Sequence, residues 1–222
     1  MKIENNILKH YLKNVYFITG TAYAGKSTTV RMLAERYDMV FCGENYHMAV
    51  SEVVATPETH PDLCYNRLLT DWREFVTRSP EEYERWIYAV GREAAEFEVA
   101  ELIAISGDKK VIVDTNIPLD ILKEISDYGH VAVMLSPQSM SVERFFDRDD
   151  PDKQFLLNVI DSCENPEAVM ENYRKGLARI NSQEHYDEYR GSGFFTVVRE
   201  DNGEDTREEV CDRIAKHFGM MK

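Results

Sequence analysis

The sequence predicts an α/β protein with a five-stranded parallel sheet and helices on both of its faces. Two observations support this fold class. Five short apolar runs recur along the chain, and such runs are typical of strands that are buried on both faces. Helical patterns separate the runs, and strands that alternate with helices pair in parallel. The strands are expected at residues 15–19, 39–42, 110–114, 130–135 and 194–198.

The first elements are marked by apolar spacing. Residues 15–19 read Val-Tyr-Phe-Ile-Thr and stop at Gly20, as a buried parallel strand would. A helix is expected from about Lys26, because apolar side chains then recur every three or four residues. At the start of the chain Ile3, Ile7 and Tyr11 repeat at helical spacing, and this segment lacks the apolar core of a signal peptide.

Residues 46–106 are expected to be mostly helical. Within them Ser79-Pro80-Glu81-Glu82 predicts a capping box, with proline at the first helical position. Later in the chain, Asn165-Pro166 predicts the start of another helix. Thr206 and Glu209 predict a capping box for the last helix.

The 222 residues contain no internal repeat, low-complexity tract or Pro/Gly-rich linker. We therefore expect one domain over residues 1–222, with 46–106 as a helical insertion. A formal net charge of −14 argues against a general binder of nucleic acid or anionic membranes. It does not exclude a small anionic ligand in a local basic pocket.

No apolar stretch approaches the ~20 residues of a membrane span. The four cysteines lie far apart without a C-x-x-C pair, which is typical of reduced thiols in a cytoplasmic protein. We therefore expect a cytoplasmic monomer or homodimer whose partner is a small molecule rather than nucleic acid or a membrane.

Residues 20–27 match the pattern G-x-x-x-x-G-K-[ST]. In such a loop the glycines allow a tight turn whose N–H groups point at phosphate oxygens, and the following helix adds its dipole. Lys26 would reach the β- and γ-phosphates, and the Ser27 hydroxyl would bind Mg²⁺. A purely structural glycine turn is disfavoured, because an apolar strand precedes the motif and a helix follows it. The candidate nucleotide-binding residues of the loop are Gly20, Thr21, Ala22, Tyr23, Ala24, Gly25, Lys26, Ser27 and Thr28.

On this motif and the order of elements, the sequence resembles the P-loop kinases of nucleosides, nucleotides and small metabolites. The resemblance implies the three-layer sandwich of P-loop NTPases, an acceptor-binding insertion at 46–106 and a lid at about 138–160. It also implies ATP as phosphoryl donor and Mg²⁺ as cofactor. It does not identify the hydroxylated acceptor.

Asp114 ends the third predicted strand, where ligands gather in open α/β sheets. It is positioned like the Walker B aspartate, which holds Mg²⁺ in the family, so Ser27 and Asp114 are the candidate metal ligands. The alternative is a turn cap. Thr115 stands where hydrolases of this type commonly carry an acid, and the guanine motif Asn-Lys-x-Asp is absent. Asp114-Thr-Asn-Ile-Pro118 also departs from the Asp-Gly-x-Pro of adenylate-kinase-like enzymes, which puts a nucleoside monophosphate acceptor in doubt.

Glu44 follows the second predicted strand. In many small-molecule kinases of this fold an acid at this point accepts the proton of the attacking hydroxyl. Gly43-Glu44…His47 is similar to the Gly-Asp-x-x-His of gluconate kinases. The alternatives are a solvated acid for Glu44 and an ordinary structural histidine for His47. Within the insertion, Arg73 is a candidate for contact with the acceptor, although core packing and solvated faces explain most residues there.

Arg144 and Arg148 follow the fourth strand. On a helix they would share one face at i and i+4, and the pattern is similar to the Arg-x-x-x-Arg lid of deoxynucleoside kinases. The alternative is pairing with the nearby aspartates. Asn202, just after the last strand, occupies the position of the family's adenine-contacting loop, although its neighbours are also turn formers.

The leading hypothesis is an ATP-dependent kinase that phosphorylates a hydroxyl of a small metabolite such as a nucleoside or sugar acid. The alternatives are a P-loop NTP hydrolase and a nucleotide-binding regulatory protein. The candidate catalytic residues are Lys26, Glu44, Asp114, Arg144 and Arg148.

Overall fold

The computed structural model describes residues 3–147, 150–200, 203 and 205–221. These residues form five strands: β1 (Val15–Gly20), β2 (Val40–Cys42), β3 (Val111–Asp114), β4 (Val131–Leu135) and β5 (Phe195–Val198). Their first six helices are α1 (Asn5–Tyr11), α2 (Lys26–Tyr37), α3 (Met48–Val54), α4 (Pro61–Leu68), α5 (Arg73–Val76) and α6 (Pro80–Ser106). The other six are α7 (Leu119–Ile125), α8 (Gln138–Glu143), α9 (Pro151–Asp161), α10 (Pro166–Ile180), α11 (Gln183–Arg190) and α12 (Arg207–His217).

The five strands form one parallel sheet in the order β2-β3-β1-β4-β5. This order is typical of the P-loop NTPase kinase core, and it confirms the predicted fold class. Each strand lies within two residues of its expected bounds. Strand β1 is central: Ile18 pairs with Asp114 of β3, and Gly20 pairs with Met134 of β4.

Successive residues of β1 pack into different apolar cores. Val15 and Phe17 contact the core under α6 and α7, whereas Tyr16 and Ile18 contact the core under α2 and α12. Because side chains alternate along a strand, this pattern places helices on both faces of the sheet. Burying one such large apolar side chain stabilises the fold by roughly 1.5–3 kcal/mol.

The insertion forms helices α3 to α6, and it packs against the later helices rather than against the sheet alone. Phe75 and Tyr83 belong to a third apolar cluster that also contains Ile160 of α9 and Tyr173 of α10. The capping box at Ser79 is confirmed, since its side chain accepts a bond from the N–H of Glu82 and its own N–H donates to the Glu82 carboxylate.

Two predicted helix starts have different outcomes. Asn165 caps α10, because its side chain accepts a hydrogen bond from the N–H of Ala168. The capping box at Thr206 is wrong: α12 begins at Arg207 as expected, but the Thr206 side chain makes no capping bond. Its ψ of 14° lies outside the extended region that an N-cap side chain normally needs.

Arg144 does not lie within a helix on which it would share a face with Arg148. Helix α8 ends at Glu143, and residues 144–147 form turns. The chain then enters a new helix at Pro151, where extended Asp150 acts as the N-cap. A residue before proline avoids the helical region, so Asp150-Pro151 separates the two helices. Arg148 lies outside the described residues.

Among the residues that the structure describes, no helix has both the length and the apolar character needed to cross a membrane.

Gly20 should tolerate no side chain. A Cβ built there would lie 1.9 Å from the backbone oxygen of Met134, and φ at Gly20 is +131°. We expect Gly20→Ala to lower the free energy of unfolding by about 3 kcal/mol or more, measured by urea denaturation. Gly129→Ala is the matched control, because a Cβ there meets nothing within 4 Å; equal stability of the two variants would contradict this account.

Candidate functional site

The loop between β1 and α2 has the backbone of an anion-binding turn. Residues 20–27 are called the phosphate loop below. Tyr23 and Gly25 both adopt positive φ, at 66° and 91°. Among the described residues, no oxygen accepts a hydrogen bond from the N–H of Ala24 or of Gly25. Since α2 begins at Lys26, the N-terminal end of its dipole adjoins these groups. The loop can therefore offer several N–H donors to a phosphate.

Lys26 spans this loop. Its Nζ donates a hydrogen bond to the backbone oxygen of Thr21, at a distance of 3.2 Å. An ammonium group held across the turn supplies a mobile positive charge beside the N–H donors. This is the arrangement that a chain of linked phosphates requires.

The start of the loop is fastened to the end of β4. The N–H of Thr21 donates to the Met134 oxygen at 3.0 Å. Ser136, just past β4, donates its N–H to the Thr21 hydroxyl at 2.8 Å and its own hydroxyl to the Ala22 oxygen at 2.6 Å. Sequence analysis missed Ser136; the available signal was a small polar residue directly after a buried strand.

Ser27 and Asp114 meet at the centre of the site. The Ser27 hydroxyl donates a hydrogen bond to Oδ2 of Asp114 at 2.6 Å, and Asp114 is fully buried. The contact exists because β3 pairs with β1, so that Asp114 lies level with Ile18 and the N–H of Thr115 reaches the Ile18 oxygen at 3.0 Å.

This pair fits a magnesium ion. A hydroxyl and a carboxylate are hard oxygen donors, and Mg²⁺ beside phosphates usually takes one or two protein ligands and fills its other positions with phosphate oxygens and water. Among the described residues, no group of three or more His, Cys, Asp or Glu side chains could hold a metal. Two protein oxygens facing a phosphate loop are the donor set that a Mg²⁺-bound nucleotide needs.

Glu44 lies on the exposed side of the site, after β2. Its Oε1 accepts a hydrogen bond from Nδ2 of Asn116 at 2.8 Å, and both residues are exposed. Asn116, two residues after Asp114, thus orients the Glu44 carboxylate. His47 is buried at the start of α3, and this burial lowers its pKa, so the imidazole is neutral at pH 7.

Glu98 is a buried acid that sequence analysis missed. It lies on α6 and is only 1% exposed, and its Oε2 accepts a hydrogen bond from the Thr115 hydroxyl at 2.6 Å. Burial raises its pKa to about 8; nearby Glu44 and Asp114 also raise it, against the opposing effect of Thr115. The available signal was an acid spaced four residues from each of two apolar positions, Ala94 and Leu102, on the buried face of α6.

The other candidates are placed as follows. Arg73 forms an exposed ion pair with Asp71 at 2.6 Å and contacts no residue of the loop. The two tryptophans of the insertion pack among aromatic rings, with Trp86 5.2 Å from Phe75 between ring centroids. Arg144 lies at the end of α8. Asn202 falls outside the described residues.

Arg199 follows β5 and contacts the phosphate loop. In the strand order β5 and β3 lie on opposite flanks of β1, so Arg199 approaches the loop from the flank away from Asp114. Its Nη1 donates a hydrogen bond to the backbone oxygen of Tyr23 at 2.9 Å. A cavity of about 330 Å³ lies beside the loop on this side, and its lining includes Thr21, Ser136, Gln138, Tyr186 and Glu200.

No protein-family model matches the chain, and no curated protein is similar to it in sequence. The chain is structurally similar to shikimate kinase from Acinetobacter baumannii in complex with shikimate (16% identity, 94% of each chain, TM-score 0.44). It is also similar to dephospho-CoA kinase from Campylobacter jejuni (18% identity, 94% of this chain and 99% of that chain, TM-score 0.43). A third match is an uncharacterized protein from Eubacterium ventriosum (14% identity, 93% and 98%, TM-score 0.40). Similarity this distant assigns no reaction to the chain.

The pKa of Glu98 predicts a pH-dependent stability. Between its usual value of 4.5 and about 8, the acid is ionised in the unfolded chain but protonated in the fold. Stability should therefore fall as pH rises through this window, by up to ~1.4 kcal/mol per pH unit. Glu98→Gln, which stays neutral, should remove this dependence and be more stable than the wild type at pH 7.

Urea denaturation from pH 5 to 8 measures this difference. Glu52→Gln, on an exposed position of α3, is the control for the removal of one carboxylate. A constant difference between Glu98→Gln and the wild type across the whole range would show that Glu98 is ionised in the fold.

Proposed function

We propose that this chain is an ATP-dependent phosphotransferase that moves the γ-phosphoryl group to a hydroxyl of a small-molecule acceptor. The observation that carries the proposal is the 2.6 Å contact between Ser27 and Asp114 directly beside the phosphate loop. A turn with free N–H groups binds many anions, but a hydroxyl–carboxylate pair at its edge is suited to a nucleotide that carries Mg²⁺.

The chain's own groups stabilise the charge of the reaction. The N–H groups of Ala24 and Gly25, the N-terminus of α2 and Lys26 face the phosphates, where charge develops as the γ-phosphoryl group moves. When bound at Ser27 and Asp114, Mg²⁺ would neutralise charge on the β- and γ-phosphates. Because these groups are held in place before the reaction, little reorganisation is needed.

Glu44 accepts the proton in the proposed mechanism. The acceptor oxygen attacks the γ-phosphorus, the bond to the bridging oxygen breaks, and ADP leaves with the bonding electron pair. The proton of the acceptor hydroxyl passes to the Glu44 carboxylate and then to solvent. Support comes from the exposed position of Glu44 and from Asn116, whose 2.8 Å hydrogen bond orients the carboxylate.

Phosphoryl transfer to a hydroxyl is favoured over hydrolysis by Thr115, which follows Asp114, and by Glu98, which Thr115 contacts. A hydrolase needs a base that can activate water there, but Thr115 donates its hydroxyl to Glu98, and burial keeps Glu98 protonated at neutral pH. Neither side chain is suited to take a proton from water.

The remaining assignments belong to the same proposal. We place the acceptor under the insertion at 46–106 and assign Arg144 and Arg148, in the segment at about 138–160, to contacts with the phosphates. Asn202 is assigned to the adenine side. The protein is proposed to act as a single domain in the cytoplasm, as a monomer or homodimer.

The proposal predicts acceptor-dependent release of ADP. We expect slow ATP turnover alone and much faster turnover with the correct acceptor, together with a phosphorylated product detected by mass spectrometry. Sugars, sugar acids, nucleosides and shikimate-like acids are suitable candidates to screen. Lys26→Ala, the matched inactive control, should lower the rate by ~10²-fold or more. Rapid turnover without any acceptor would indicate a hydrolase instead.

Glu44→Gln should separate proton transfer from binding. The amide oxygen can still accept the bond from Asn116, but it cannot take the proton of the acceptor. We expect kcat to fall by ~10²–10⁴-fold while the Kd for ATP stays unchanged. Glu52→Gln, on an exposed position of α3, is the control and should behave as the wild type. A normal kcat in Glu44→Gln would exclude Glu44 as the base.

A further inference from the structure

We propose that Arg199 is a positioning residue that holds the phosphate loop in its binding conformation. This inference rests on the proposed function, because it concerns the same loop. It adds a residue from the far edge of the sheet, more than 170 positions away in sequence, to the machinery that binds phosphate.

The contact acts on one peptide group. Nη1 of Arg199 donates to the Tyr23 oxygen at 2.9 Å. Because a trans peptide is planar, the N–H of Ala24 in the same peptide points to the opposite side, away from Arg199. Ala24 is 2% exposed, and its N–H has no acceptor among the residues that the structure describes. Holding the carbonyl thus aims a donor whose partner would be the ligand.

The peptide needs such a restraint. Tyr23 has a φ of +66°, a conformation that residues with a side chain rarely adopt, so contacts from outside the loop are needed to maintain it. A 180° rotation of the Tyr23–Ala24 peptide would change ψ of Tyr23 and φ of Ala24 and would turn the carbonyl toward the phosphates. The guanidinium disfavours this rotation, because it would leave a charged hydrogen bond unmade.

Arg199 is itself held by the frame that carries the loop. Its N–H donates to the Leu135 oxygen of β4 at 2.7 Å, and the preceding residue of the same strand, Met134, accepts the N–H of Thr21. The backbone of Arg199 and the start of the loop at Thr21 are therefore hydrogen-bonded to adjacent residues of β4, which is buried. Nη1 also lies 3.9 Å from the position that a Cβ on Gly25 would take, so the guanidinium is in contact range of the loop.

Binding of inorganic tripolyphosphate tests this role, because the probe lacks a base and a sugar. We expect Arg199→Ala to weaken tripolyphosphate and ATP by the same factor, ~10-fold or more, in calorimetric titrations. Millimolar guanidinium, well below denaturing concentrations, should restore part of the affinity, and Arg199→Lys should retain part of it. A residue that only stabilised the fold would lower Tm without changing either Kd.

Arg207→Ala is the matched control, since Arg207 is an exposed arginine nearby that pairs with Asp205. Unchanged tripolyphosphate affinity in Arg199→Ala, or an equal loss in Arg207→Ala, would overturn the assignment. A loss confined to ATP would also overturn it, because Arg199 would then serve the base rather than the loop. If the wild type binds neither tripolyphosphate nor ATP, the result contradicts the proposed function itself, and the role of Arg199 is contradicted as well.

Discussion

The pairing of β1 with a parallel strand on each side is the constraint on which the site depends. On one side the register sets Asp114 level with Ile18, and on the other it sets Met134 level with Gly20. Parallel strands end at the same edge of a sheet, so three separate segments of the chain converge there. The position of the loop, the contact between Ser27 and Asp114 and the bonds from Ser136 to the loop all follow from this arrangement. A slip of one residue in the pairing with β3 would move Asp114 away from Ser27, and a slip in the pairing with β4 would break the bonds from the loop to Met134 and Ser136.

The chain has a net charge of −14, and three acids near the loop differ in how their negative charge is held. The Asp114 carboxylate accepts the Ser27 hydroxyl. Glu44 is exposed and is oriented by an amide. Glu98 avoids the charge altogether, since burial raises its pKa to about 8 and keeps it protonated. Three acids within one site thus contribute less negative charge than their number indicates, which lowers the repulsion that a phosphate chain would meet.

The sequence was informative wherever a local pattern determines the outcome. The strands, the turn at residues 20–27 and the position of Asp114 at the end of β3 could be predicted, because each depends on neighbouring residues or on the rule that parallel strands end together. Ser136, Glu98 and Arg199 could not be predicted, because their roles depend on partners that only the folded chain brings near. The break after Glu143 was missed for another reason: the apolar spacing continues through Phe145 and Phe146, while Asp150-Pro151 already starts a new helix. Apolar spacing therefore predicts which side chains are buried better than it predicts whether a helix is continuous.

Helix α6 constrains the length of the insertion. It runs unbroken for 27 residues, and it meets the sheet edge at two points: the backbone of Gly91 beside the Asn116 oxygen, and Glu98 on Thr115. These points are seven residues apart, two turns along one face. Adding or deleting a single residue between them would rotate one contact away from the other by about 100°. A change in length between Gly91 and Glu98 would therefore break one of the two contacts, whereas a change in the short helices and turns before Pro80 would leave their spacing intact.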